Sequence, residues 1–392
     1  MQVYLNKGRV IIIKNKNKRK SLDKGNKRCY NKGNNKNNNK KTKKTTGVLR
    51  MKKMQNQLVE LLNIHGVSGD EKAVRDYLLF ELATEKLVDR CHIDDYGNLL
   101  AEKTYGDGKG ATVLLSAHMD TVRGVREDKE LIVKNGAISA QLPNGERAIL
   151  GADDRAGIAI ILTVLRNMSK VRFNGKIKVA FSREEEIGCV GSTNIRKNWY
   201  EGTDLAIVVD RRGSRDIVVG CGQPFCSNEV GLFMQDVAQM ADLDFKCVEG
   251  GISDALTFSE NGINSVNLSA GYYNEHTEKE YVVISEMKQT VRLMMQVFAI
   301  INQFSHTFNE VPDENMWVTN WYPTGKYASK YDVGYFEDVF MQDLYAEEFD
   351  THGDVMVYEM GADVVISQGD NEIMLTRESL KGLINQLSGS LN

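Results

Sequence analysis

Between residues 56 and 303 the apolar positions follow two rhythms. Short apolar runs at 113–115, 177–182, 205–209 and 265–268 are of strand length, and each reads as a buried strand. Around them, 56–62, 153–165, 228–241, 252–261 and 285–303 space their apolar residues as helices do. After 71, Val74, Tyr77, Leu78 and Leu82 share one helical face, and Ser68 with Glu71 three positions on gives that helix a capping-box start. Residues 91–102 alternate in part and turn at Asp95-Tyr96-Gly97-Asn98, the pattern of a hairpin. Further short strands are expected at 131–133 and 137–140, before a turn at Asn144-Gly145. Strands alternating with helices predict an α/β fold, a mixed sheet sandwiched between helices.

The polar residues that follow these runs change the picture. The strand at 113–115 delivers His118 and Asp120, two positions apart and so on one side of an extended segment. A carboxylate beside an imidazole can fix the tautomer that leaves one ring nitrogen for a metal. Asp153 and Asp154 open the helix at 153–165, where carboxylates also serve as caps. The strand at 177–182 runs into Glu184-Glu185-Glu186, the one at 205–209 ends at Asp210, and His276 follows the fourth. Open α/β sheets place their sites at such strand ends. Imidazole and carboxylate ligands without thiolate suit zinc, manganese or cobalt. His65 has no acidic partner at useful spacing and reads as a loop or core histidine.

Composition frames these positions. The hydrophobic share of 42% and the charged share of 26% are those of a soluble globular protein. No apolar stretch has the length of a membrane span, and the short run at 10–13 is no secretory core. The six cysteines lack paired spacing, which points to reduced thiols and a cytoplasmic location. A net charge of −3 hides an uneven distribution. Residues 1–50 are rich in Lys, Arg and Asn with one acid, Asp23, and read as a disordered basic tail. That tail could meet nucleic acid, although nucleic acid is not the expected partner. It could equally be a solvated extension, or translation could begin at Met51 or Met54. Residues 304–392 are acidic and carry strand patterns at 355–358, 363–367 and 372–375, with a helix from 376 through 387. They read as a small C-terminal α/β appendage, an acidic accessory module beside a domain at 51–303.

Three motifs resemble one known group. Ala117-His118-Met119-Asp120-Thr121-Val122, Gly151-Ala152-Asp153-Asp154-Arg155-Ala156-Gly157 and Glu185-Glu186-Ile187-Gly188 are similar to those of the co-catalytic zinc exopeptidases, above all the peptidase T-like branch of M20. The segment 271–282 is also similar to the M28 and M42 aminopeptidases. The resemblance covers about residues 54–303. It implies two zinc ions, with manganese or cobalt as substitutes. His118, Asp153 and Asp210 would hold one, and Asp153, Glu186 and His276 the other. It further implies that Asp120 orients His118, that Glu185 is the general base, and that the Asp153–Asp154 bond is cis. M20 enzymes carry a lid between the residues matched by Asp210 and His276; here that interval is too short, and the single-domain layout is more like M28. Tyr272 or Tyr273 could replace a donor from the lid, or could pack. Arg211 and Arg212 could meet a substrate carboxylate or lie on the surface.

The implied activity is hydrolysis of the amide bond of short peptides by a di-zinc aminopeptidase. A carboxypeptidase or N-acyl amino acid deacylase would use the same centre, and a non-catalytic peptide-binding protein could share the fold. A short peptide is the expected partner, a membrane is not, and assembly into an oligomer stays open.

Overall fold

The computed structural model describes residues 2–6, 9–13, 54–304, 307–308, 355–360, 363–368 and 371–376. The chain divides into two compact units, Met1–Lys52 and Lys53–Asn392. In the first, β1 (Gln2–Asn6) and β2 (Arg9–Ile13) pair antiparallel, with Gln2 opposite Ile13. This hairpin departs from the reading of 1–50 as a structureless tail. Val3, Val10, Ile11, Ile12 and Ile13 are β-branched residues that suit a pleated strand, and the surrounding charge masks them in composition. The rest of 1–50 lies outside the described residues.

The second unit opens with α1 (Met54–Leu62), α2 (Lys72–Thr84) and the hairpin β3 (Arg90–Ile93) and β4 (Leu99–Tyr105). The central strand β5 (Thr112–His118) comes next. It is followed by β6 (Glu130–Lys134), β7 (Ala137–Gln141), β8 (Arg147–Ala148), α3 (Ala152–Asn167) and β9 (Gly175–Ser182). Then come α4 (Val190–Thr193), α5 (Lys197–Tyr200), β10 (Leu205–Arg211), β11 (Asp216–Gly220), α6 (Asn228–Met240), β12 (Lys246–Glu249) and α7 (Asp254–Glu260). The unit continues through β13 (Asn264–Ser269), β14 (Tyr272–Tyr273), β15 (Tyr281–Val283) and α8 (Ile284–Ile300).

One sheet of eight strands has the order β12-β11-β13-β10-β5-β9-β4-β3. Its middle strands β13, β10, β5 and β9 are parallel, while β11 and β4 join them antiparallel. Val113 lies opposite both Leu205 and Ile177, and His118 opposite Ser182, so the C-terminal ends of the parallel strands are brought level. Residues along β5 alternate between the two faces. Val113, Leu115 and Ala117 join the core that α1, α3, α6 and α8 cover, and Leu114 joins a smaller core on the other face with residues of α7. Burial on both faces explains why the middle strands read as unbroken apolar runs. A smaller sheet, β14-β15-β7-β6 with β8 on β7, stands beside the first.

One expectation changes here, and one holds. Ser68 caps no helix: α2 starts at Lys72 with Glu71 at its N-cap position and no side-chain cap bond. Ser68 and Glu71 are engaged elsewhere, Ser68 with Asp120 and Glu71 with Arg183. The interval from Asp210 to His276 builds β11, α6, β12, α7 and β13, all parts of the main sheet and its cover, so no separate lid lies there. In the C-terminal region β16 (Val355–Met360), β17 (Asp363–Gln368) and β18 (Asn371–Thr376) form an antiparallel meander at the three expected strands. The helix expected after 376 lies outside the described residues.

Candidate metal centre

Each proposed ligand sits where a strand or helix ends. His118 is the last residue of β5, Asp210 lies at the end of β10, and Glu185 and Glu186 follow β9. Asp153 enters at the start of α3, where the Asp153–Asp154 peptide bond is cis. His276 stands in the loop after β14 at φ +61°. Gly157 makes the approach of α3 feasible. A Cβ there would lie 1.9 Å from the carbonyl oxygen of Val209, so only glycine lets the helix start rest against β10.

The side chains converge. His118 Nε2 lies 2.9 Å from Asp153 Oδ1, 3.4 Å from Asp210 Oδ1 and 3.9 Å from Glu185 Oε2. His276 Nε2 lies 3.2 Å from Asp153 Oδ2 and 2.8 Å from Glu186 Oε2. Asp153 therefore stands between two imidazoles, one oxygen toward each. A hollow of about 490 Å³ opens over them, lined by Asp153, Glu185, Glu186, Asp210, Tyr272 and His276 among others. A second hollow of about 590 Å³, near the start of β5 and β9, includes Thr112, Lys176 and Trp199 in its lining and holds none of these ligands.

Electrostatics mark the cluster. Burial pushes the Glu185 carboxyl up to about 9, and Asp210 beside it adds to the rise. Burial also raises Asp210 to about 7, with Asp153 pushing the same way against the pull of His118. Burial alone would raise Asp153, but hydrogen bonds from His118 and His276 hold it below the usual carboxylate range. His276 is lifted to about 10 by Asp153 and then Glu186. Burial opposes charge on His118, yet Asp210, Asp120 and Asp153 outweigh it and hold the imidazole well above its usual value. So many carboxylates in one buried place are costly without compensating positive charge. Glu186 Oε1 is buried with no hydrogen-bond partner. Among the described residues, the groupings whose ligand atoms fall within 4.8 Å of one another are all drawn from His118, Asp153, Asp154, Glu185, Glu186 and Asp210. Hard oxygen and imidazole donors crowded in this way fit a divalent cation.

Supporting contacts differ in part from expectation. His118 Nδ1 lies 3.1 Å from the Asp120 carbonyl oxygen and 3.3 Å from Asp120 Oδ1, so Asp120 does face the ring. Its carboxylate does more: it accepts from Ser68 Oγ at 2.7 Å, from the Glu185 amide at 3.0 Å and from the Glu186 amide at 3.2 Å. The turn carrying both glutamates is thus hung on Asp120. Gly188 is the residue whose sequence position permits that turn, and it does sit at φ +115°, but Glu184 and Cys189 also take positive φ within it. Asp154 ties α3 to β5, accepting from the His118 amide at 3.2 Å and the Gly157 amide at 3.0 Å. Of the two tyrosines, Tyr272 is buried and donates to Asp210 Oδ1 at 3.0 Å, while Tyr273 donates to Glu286. Arg211 and Arg212 both line the hollow, paired with Asp216 at 3.0 Å and Glu275 at 2.7 Å. His65 is partly exposed, 3.8 Å from Glu127.

Sequence reasoning missed two buried acids. Asp254, at the start of α7, accepts from Ser182 Oγ at 2.5 Å. Glu280 accepts from the amides of Gly151 and Ala152 at 2.7 Å and of Asp153 at 3.2 Å. Burial pushes Glu280 up to about 7 against those three bonds. Asp254 lies outside the quoted motifs and Glu280 inside the segment 271–282 without being singled out there; the folded pairing across distant segments reveals what each does.

Known proteins resemble the chain in the same terms. The family profile described as M42 glutamyl aminopeptidase matches residues 140–293. The likeness to M42 is thus wider than the segment 271–282 in which it was expected, and it stands beside the expected likeness to peptidase T. Peptidase T of Halothermothrix orenii is 30% identical over 34% of this chain and 40% of its own length. The chain thus spans less than half the length of the curated relatives it matches. A tripeptidase of Staphylococcus aureus superposes with a TM-score of 0.57 at 17% identity, covering 64% of this chain and 98% of that one. The TET1 peptidase of Pyrococcus horikoshii, which can assemble into a tetrahedron or a large octahedral shell, gives 0.51 at 18% identity over 63% and 99%. The chain shares the fold of these peptidases. Among the described residues no helix is long and apolar enough to cross a membrane.

Proposed function

We propose that the chain is a two-metal exopeptidase that removes residues from the amino end of short peptides. The observation that carries this reading is Asp153 set between His118 and His276, with Asp210, Glu186 and Glu185 around the same hollow. His118, Asp153 and Asp210 would hold one divalent cation, and Asp153, Glu186 and His276 the other. A pair of cations held there would supply polarisation of the scissile carbonyl and a lowered pKa of the attacking water.

The chain's own groups do the rest. Glu185, opposite His118 and outside both ligand sets, takes the proton of the attacking water and returns it to the departing amine. Asp120 fixes the Glu185 amide and so the carboxylate's place over the cleft. Tyr272, by donating to Asp210, keeps that carboxylate turned toward His118.

The M42 profile and the peptidase T relative support the amino end as the point of attack. A panel of aminoacyl anilides, N-blocked peptides and N-acyl amino acids, assayed with zinc, manganese or cobalt, tests it. Cleavage of free-amine substrates and rejection of N-blocked ones is expected. The reverse pattern would make the chain a carboxypeptidase or deacylase. Self-assembly belongs to the same proposal, and sedimentation analysis checks it.

A further inference from the structure

The turn that leads into α3 is not helical at Asp153 and Asp154, and Asp154 Oδ1 closes the first helical turn by accepting from the Gly157 amide at 3.0 Å. Ahead of it Gly151, at φ +75°, brings further amides to the same turn. The open amides are met from a distant segment. Glu280, 1% exposed, accepts from Gly151 N–H through Oε2 and from Ala152 and Asp153 N–H through Oε1. Successive backbone amides converging on one carboxylate form an anion-binding nest. Glu280 belongs to the same short segment as His276, and the nest belongs to the same turn as Asp153. These two segments also meet directly, His276 Nε2 lying 3.2 Å from Asp153 Oδ2.

We propose that Glu280 is a positioning residue that sets the affinity of the Asp153, Glu186 and His276 half of the metal centre; this rests on the two-metal reading above. The physical reason is competition for donors. Asp154 is already engaged with the His118 and Gly157 amides, so were the nest empty, the adjoining carboxylate left to turn toward it would be that of Asp153. Glu280 occupies the nest and leaves Asp153 free to face both imidazoles. The other half of the centre is anchored independently. His118 ends a fully buried strand, and Asp210 is held by Tyr272 and by Asn267, whose Oδ1 accepts from the Asp210 amide at 2.9 Å. His276 stands in a loop instead: its side chain is 45% exposed, its neighbour Glu275 pairs with Arg212, and Glu280 ties the same segment to the amides at the start of α3.

Zinc titration of metal-free protein against a chromophoric chelator tests this. The unaltered chain is expected to take up two equivalents. In Glu280→Gln and Glu280→Ala one equivalent should weaken about 10–100-fold, the range for lost support of a ligand, while the other shifts by less than about threefold. Glu81→Gln, a buried acid paired with Arg166 away from the site, serves as the control for a purely structural loss. It should lower the melting temperature without separating the two equivalents. Equal weakening of both equivalents in the Glu280 variants, or none, overturns the proposal. Should the variants not fold, amide exchange on the unaltered chain decides. Exchange at Gly151, Ala152 and Asp153 should slow on the second equivalent, and indifference to it overturns the inference. Failure of the unaltered chain to bind zinc would instead remove the two-metal reading itself.

Discussion

Glu185 and Glu186 are neighbours in sequence with opposite duties in this account. Glu186 lies 2.8 Å from His276 and keeps one buried oxygen without a partner, as a ligand would. Glu185 Oε2 lies 3.9 Å from His118 while Oε1 accepts from Cys189 Sγ at 3.3 Å, and the account leaves it outside the ligand sets as the base. Glu185→Gln should therefore retain both metals and lose about 10²–10⁴-fold in kcat, the usual worth of general-base catalysis. Glu186→Gln should lose metal first. Metal analysis beside steady-state kinetics on both variants checks this, and the opposite pattern exchanges the two roles. At this scale the motifs are enough to bring His118, Asp120, Asp153, Glu185, Glu186, Asp210 and His276 into one neighbourhood. They do not show what holds them. Ser68 has the spacing of a helix cap and instead donates to Asp120, because the chain enters α2 after Glu71 and leaves its hydroxyl facing β5.

Among the elements, α3 shows how local sequence and long-range packing divide the work. Its apolar spacing makes the helix legible, and its small residues signal a close approach. The partner in that approach is not legible, since the Val209 carbonyl arrives from a strand far along the chain. Gly157→Ala would set a Cβ 1.9 Å from that oxygen, and backbone on both sides can only move apart. Overpacking of this kind costs about 1–3 kcal/mol. A lower denaturant midpoint with an unchanged slope is expected, together with weaker metal uptake, because Asp153 rides on the same helix start. An unchanged midpoint would show that α3 does not rest on β10 as described. The hairpin β1–β2 is the converse case: its β-branched residues carry a local signal that the surrounding lysines and asparagines mask.

For the whole molecule, the concentration of buried carboxylates predicts how stability responds to pH. Glu185 at about 9, Asp210 at about 7 and Glu280 at about 7 all sit above ordinary carboxylate values. His276 at about 10 sits above an ordinary imidazole. A raised group binds more protons folded than unfolded, so its contribution is complete below the unfolded value and is lost as pH rises toward the folded one. Chelated protein should therefore melt at lower temperature at pH 9 than at pH 6. Added zinc should narrow that difference, with protons released on binding near pH 7, which calorimetry in buffers of different ionisation enthalpy reads. A melting temperature that rises with pH in chelator contradicts the assignment.

The division into a tail at 1–50, a catalytic domain at 51–303 and an accessory module at 304–392 is our proposal for the same scale. Every proposed ligand lies in the middle part. Deleting 1–50 should leave metal content and rate nearly unchanged, and deleting 304–392 should keep the metals while altering substrate range or assembly. Loss of metal on removing the tail would overturn the division.

The central claim is that the cluster around Asp153 is a two-metal hydrolytic site. Its most direct test titrates metal-free protein with zinc while following uptake and hydrolysis of a free-amine tripeptide together. The account predicts uptake that levels at two ions per chain, with peptide hydrolysis appearing as the sites fill and vanishing on chelation. Full hydrolysis by protein stripped of metal, or saturation with no zinc retained, would contradict it.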